Sequence, residues 1–137
     1  MQDHPTSLEL INAVAQFLNA ELAPTLSDPR LKFRALVAAN VLNIVARELE
    51  LSDAQLRAER ERLNELLSEN ASGENLRADV ERMTRELSQK IRAGEADEGA
   101  FHNAVFAHVE QTVIEKLQVT NPKYLARVLD ETADNAE

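Results

Sequence analysis

The chain has 137 residues, 24 of them acidic and 15 basic, for a formal net charge of −9, and it contains three Gly, four Pro and no Cys or Trp. One domain is the default at this length. Disulfides and cysteine-based zinc sites are excluded, and so acidic a chain is a poor nucleic-acid binder because phosphate neutralisation needs clustered Lys and Arg.

The start, Met1-Gln2-Asp3-His4, lacks a basic region followed by an apolar run, and no apolar stretch approaches the roughly 20 residues of a membrane span. A soluble cytoplasmic protein is therefore expected. The first predicted helix opens at Thr6, with Glu9 completing a capping-box pattern, and runs through Leu8, Ile11, Ala15, Leu18 and Leu22 to a stop at Pro24. The second starts at Asp28-Pro29 and reaches about Leu49. From Ala35 to Ala46 it is apolar on nearly every side, which predicts a central, buried position. The third opens at Ser52 with Gln55 as a second capping box and buries Leu56, Leu63, Leu66 and Leu67. Its charged run Arg57 to Arg62 is expected to lie mostly in water, and Ala71-Ser72-Gly73 ends it.

The fourth helix, about Asn75 to Ala93, carries the stripe Leu76, Val80, Met83, Leu87 and Ile91 and ends at Gly94. The fifth, about Glu98 to Gln118, has apolar residues on more than one face and only Glu110, Glu115 and Lys116 as charges after Glu98. It is the second candidate for a central element or a partner interface, and its breadth also allows a homodimer. Asn121-Pro122 opens a sixth helix bearing Tyr124, Leu125, Val128 and Leu129. No segment alternates with period two. The predicted fold is an all-α, single-domain antiparallel bundle of about six helices over residues 1–129, with an acidic tail, 130–137, that frays.

Catalytic signatures are missing. The three glycines are isolated, so no phosphate-cradling loop is expected. His102 and His108 stand six apart and face different ways, no Glu precedes a His by three residues, and no metal or cofactor is expected. His108 is read as a packed, hydrogen-bonded side chain and His102 as exposed. Two polar sets remain. Asn40, Asn43 and Arg47 share one face of the second helix, and they form a polar pocket for a carboxylate or phosphate, a solvent-facing strip, or a set of structural hydrogen bonds to neighbouring helix ends and loops. Lys123 and Tyr124 present either a partner-docking edge or a helix start packed on the bundle.

Several segments occur together in a particular order: Pro5-Thr6-x-x-Glu9-Leu10 with Ala13-Val14-x-x-Phe17-Leu18, the run Val37 to Leu49, Ile91-Arg92-Ala93-Gly94-Glu95, and Lys116-Leu117-x-Val119-x-Asn121-Pro122-Lys123-Tyr124-Leu125. The set resembles an uncharacterised bacterial all-helical family whose members are encoded beside, or fused to, kinases of the aminoglycoside-phosphotransferase type, often near acyl-CoA dehydrogenases. The resemblance implies a non-catalytic accessory protein of such a kinase, acting on hydroxyacyl-CoA or other small hydroxylated substrates in acyl-CoA metabolism. The alternative is a small ligand-binding module taking an acyl-CoA or organic acid at Asn40, Asn43 and Arg47. An independent enzyme is the least favoured reading, since the chain lacks a phosphate loop and metal-binding Asp/Asn motifs.

Overall fold

The computed structural model describes residues 4–134, which are helical almost throughout, with no strand among them. The fold is all-α, with five helices where six were predicted. Helix α1 combines α-helical Ser7–Gln16, π-helical Phe17–Leu22 and a last turn, Ala23–Thr25; α2 is Pro29–Leu67, α3 Leu76–Arg92, α4 Gly99–Thr120 and α5 Pro122–Asp134. The chain divides into two compact units, Met1–Ser52 and Asp53–Glu137, and the boundary falls within α2.

The predicted capping box starts α1: the Glu9 N–H donates to the Thr6 hydroxyl at 3.2 Å, and the Thr6 N–H donates to Glu9 Oε2 at 2.6 Å. The helix does not stop before Pro24. It widens first, so that the Ala23 N–H reaches back five residues to the Leu18 carbonyl, and Pro24 sits in the turn that follows. A wide turn ahead of a proline accommodates a residue that has no N–H to donate and whose ring crowds the preceding turn.

Asp28 caps α2 as expected, accepting the Arg30 N–H at 2.8 Å. The predicted break at Ser52 does not occur. Positions 30–67 hold neither Gly nor Pro, so nothing interrupts the ladder, and a capping-box pattern inside an unbroken helix has no orphan donors to satisfy. The helix ends at Ser68, whose φ of 57° turns the chain, while the Glu69 N–H closes back on the Asn64 carbonyl at 2.9 Å. The Asn64 amide then clasps Ala71 on both sides, donating to its carbonyl at 3.1 Å and accepting its N–H at 2.8 Å. The break therefore falls several residues ahead of the predicted Ala71-Ser72-Gly73.

In the first unit the described buried residues are all alanines: Ala15 and Ala23 from α1, and Ala35, Ala39 and Ala46 from α2. This corrects the expectation that Ala35 to Ala46 lies inside on every side. Ala35, Ala39 and Ala46 are covered, whereas Leu36, Val37, Val41 and Val45 are exposed, as are Phe33 and Leu49 beyond them. Apolar composition identifies what can be buried, but small residues let neighbouring backbones come close, and the larger ones then point away.

The second unit has an ordinary mixed core of Leu63 from α2, Val80, Met83 and Leu87 from α3, Ala96, and Val105 from α4, with Leu56, Leu66, Leu67, Ala71 and Phe101 packed against it. Leu63 and Met83 are wholly enclosed. Asn75 caps α3 by accepting the Ala78 N–H at 3.1 Å. At its other end Gly94 takes φ +83°, which only glycine adopts freely, and its N–H and that of Glu95 donate to the Ile91 and Lys90 carbonyls, at 3.1 Å each. Ile91, predicted on the buried stripe, is exposed. Asn121 Oδ1 accepts the Tyr124 N–H at 3.2 Å and starts α5. That helix carries 130–134, part of the segment expected to fray, and 135–137 lie outside the described residues. Among the described residues, no helix is long and apolar enough to cross a membrane.

Candidate functional site

The polar centre of the second unit lies where α2 meets α4. Arg62 forms a two-pronged ion pair with Glu115, Nη1 to Oε1 at 2.8 Å and Nη2 to Oε2 at 2.7 Å. Glu115 Oε1 also accepts from Gln111 Nε2 at 3.1 Å, and Gln55 Nε2 donates to the Glu115 carbonyl at 3.2 Å and to Gln118 Oε1 at 3.1 Å. A bidentate Arg–carboxylate pair fixes orientation as well as distance, so this cluster sets the rotation of α4 on its axis.

His108 lies beside this pair. It is 7% exposed, as the sequence predicted for a packed histidine, but the expected hydrogen bond to its ring is not made at Nδ1. Arg62 Nε is likewise buried with no partner among the described residues. Burial holds the His108 imidazole below its ordinary range, the Arg62 guanidinium adds to this, and Glu115 pulls the other way. Glu59 is half-buried and shifts upward, again through burial first; Glu115 adds to the rise, and Arg62 and Lys116 oppose it. Arg62, His108, Glu65, Leu66, Ala104 and Ala107 line a cleft of about 310 Å³. Among the described residues, no group of three or more His, Asp or Glu is placed to hold a metal ion.

Sequence reading missed this cluster. It took Arg57 to Arg62 as a solvated run, but Arg62 lies on the α2 face that also carries Leu63 and Leu66. The signal was Glu115, a carboxylate on a helix with few charges, which needs a cation once that helix packs. His102 is exposed, as predicted, and its Nδ1–H donates to the Ala96 carbonyl at 2.9 Å.

With one face of α4 pinned by Glu115 and packed through Val105 and His108, another is left apolar and in water. Phe106, Val109 and Val113 lie within about 60° of one another at 100° per residue. They are 63%, 46% and 49% exposed. His102 stands one turn before Phe106 on the same face. The expectation that the fifth predicted helix is a central element is thus met on one face only. On α5, Leu125 is buried while Lys123, Tyr124 and Leu129 are exposed. The Arg127 guanidinium stacks 5.2 Å from the centre of the Tyr124 ring, a cation–π contact that orients the ring.

Of the other predicted residues, Asn40 and Asn43 are exposed and Arg47 is half-buried, all in the first unit. The clefts of the second unit are lined by other side chains. One of them, about 600 Å³, lies along α3 between Arg82, Arg85 and Lys90 and the carboxylates of Glu86 and Glu95.

No curated protein and no solved structure matches the chain at a significant level. Residues 24–124 match the family described as a domain of unknown function, DUF6285, and the chain belongs to that family.

Proposed function

We propose that this chain is a non-catalytic partner protein, and that its partner is a small-molecule kinase of the aminoglycoside-phosphotransferase type. The observation that carries the reading is the apolar face of α4, where Phe106, Val109 and Val113 stand in water on a helix whose opposite side is pinned by Arg62–Glu115. Contiguous exposed apolar residues on a helix are the usual mark of a protein-binding face, and aromatic residues dominate the energetics of such faces. Exposed Tyr124 and Leu129 on α5 add to the apolar surface available for docking. The kinase assignment follows from the sequence resemblance: a chain without a phosphate loop or metal-binding motifs would act on phosphoryl transfer through a partner that has them.

The test is co-expression with a kinase of that type from the same genome. A stable complex on size exclusion, a changed kinase rate with hydroxyacyl-CoA substrates, and loss of both in Phe106→Glu/Val113→Glu are expected. Both substituted side chains are exposed, so the variant should retain its helical circular dichroism. Separate elution of the two proteins, with no change in rate, would defeat the proposal.

A further inference from the structure

We infer that the first unit carries a second, separate docking face, and that its occupant is another copy of this chain, paired antiparallel through α2 about a two-fold axis at Val41. The inference does not depend on the α4 face or on the kinase.

The face centres on five large apolar side chains spaced four apart, Phe33, Val37, Val41, Val45 and Leu49; Val37 and Val45 lie about 40° to either side of Val41, and Phe33 and Leu49, about 80° to either side, form its flanks. Their exposures are 67%, 44%, 51%, 37% and 54%. The fully buried residues of the same helix in this unit are alanines, at positions 35, 39 and 46, with Leu42 and Ile44 half-buried. The exposed ridge side chains are larger than the buried ones, the reverse of the usual order. The ridge runs about 24 Å along the helix, at 1.5 Å per residue.

The charges select the partner and its direction. Position 41 is the centre of a near-palindrome in which Phe33 matches Leu49, Val37 matches Val45, and Arg34 matches Glu48. Arg34 and Glu48 are both exposed and project within about 20° of the direction of Val41, so they lie on the ridge face. When two copies run antiparallel with Val41 at the axis, Arg34 of each copy comes level with Glu48 of the other, and this happens twice by symmetry. A parallel pair would set Arg34 against Arg34 and Glu48 against Glu48. Few contacts on a surface are self-complementary in both shape and sign, and an isologous interface requires both.

The experiment uses the full chain. Sedimentation equilibrium should give twice the 15.3 kDa chain mass at micromolar concentration. Arg34→Glu and Glu48→Arg, each alone, should weaken the dimer about tenfold, since each places like charges together twice. The double swap Arg34→Glu/Glu48→Arg should restore dimerisation, which a merely misfolded variant would not do. The chain has no cysteine, so Val41→Cys introduces a single thiol. It should oxidise to a covalent dimer, while the control Glu61→Cys, outside the ridge, should not. A monomer at 100 µM, or single swaps without effect together with no preferential crosslinking at position 41, would overturn the inference. A monomer that nevertheless loses its kinase complex on Val41→Asp would assign the ridge to the kinase and refute the self-pairing.

Discussion

Removing Glu115 tests whether the polar centre between α2 and α4 holds the second unit together. In Glu115→Ala the Arg62 guanidinium loses two charge-assisted hydrogen bonds, of 2.8 and 2.7 Å, and Gln111 loses its acceptor. Arg62 Nε already lacks a partner, so the variant leaves all three guanidinium nitrogens short of acceptors. Breaking a fully buried pair by deleting one partner costs about 3–5 kcal/mol. The Arg62 side chain is 24% exposed and that of Glu115 11%, so water recovers part of this. A loss of about 3 kcal/mol follows, and at about 4 °C per kcal/mol for a domain of this size the Tm should fall by roughly 12 °C. Replacing both partners by apolar residues of similar length avoids the stranded charge, so Arg62→Met/Glu115→Met should lie within about 1 kcal/mol of the parent. Urea or thermal unfolding followed by circular dichroism measures both. A Glu115→Ala cost under about 1 kcal/mol would show the pair to be effectively solvated. A double variant as unstable as the single would show that the cost is not the stranded guanidinium, and either result refutes the reasoning.

His108 should impose a pH dependence on stability. Its folded-state pKa lies below the ordinary 6.5 because burial and Arg62 disfavour the imidazolium, so between those two values the unfolded chain binds more protons than the folded one. Its contribution is complete above about pH 6.5 and is lost as pH falls through that value towards the folded midpoint. An NMR titration of the ring should give a midpoint below 6.5, and His108→Gln should flatten the stability profile on that acid side; a midpoint at or above 6.5 would contradict the burial argument. Asn40→Ala and Asn43→Ala, both at exposed positions, should each change stability by no more than about 0.5 kcal/mol. A larger loss would mean that these amides carry structural hydrogen bonds, and loss of stabilisation by an added CoA ester in a thermal-shift assay would instead identify them as ligand contacts.

The elements that could be read in the sequence are those fixed by neighbours a few residues apart. Thr6 with Glu9, Asp28 ahead of Pro29, Asn75, and Gly94 after Lys90 act through backbone groups within one turn, and each stands in the structure as its chemistry requires. The stripe Val80, Met83, Leu87 was legible for the same reason, since one face of a short amphipathic helix has one place to go. Local patterns misled where they were read as punctuation without a reason for the chain to stop. Ser52 and Gln55 match a capping box, yet the helix runs through them, and Gln55 is used instead to reach Glu115 and Gln118 across the unit.

By itself the sequence determined that the chain is helical, where most of its helices begin, and that it holds no cysteine site, because these depend on residue type and short-range spacing. Only the tertiary structure decided which apolar residues are inside. An apolar run is compatible with burial on any side, and whether Val41 or Ala39 is covered depends on what packs beside α2. The Arg62–Glu115 pair is of the same kind: two charges 53 positions apart became a site when two helices met, and no spacing along the chain records that meeting.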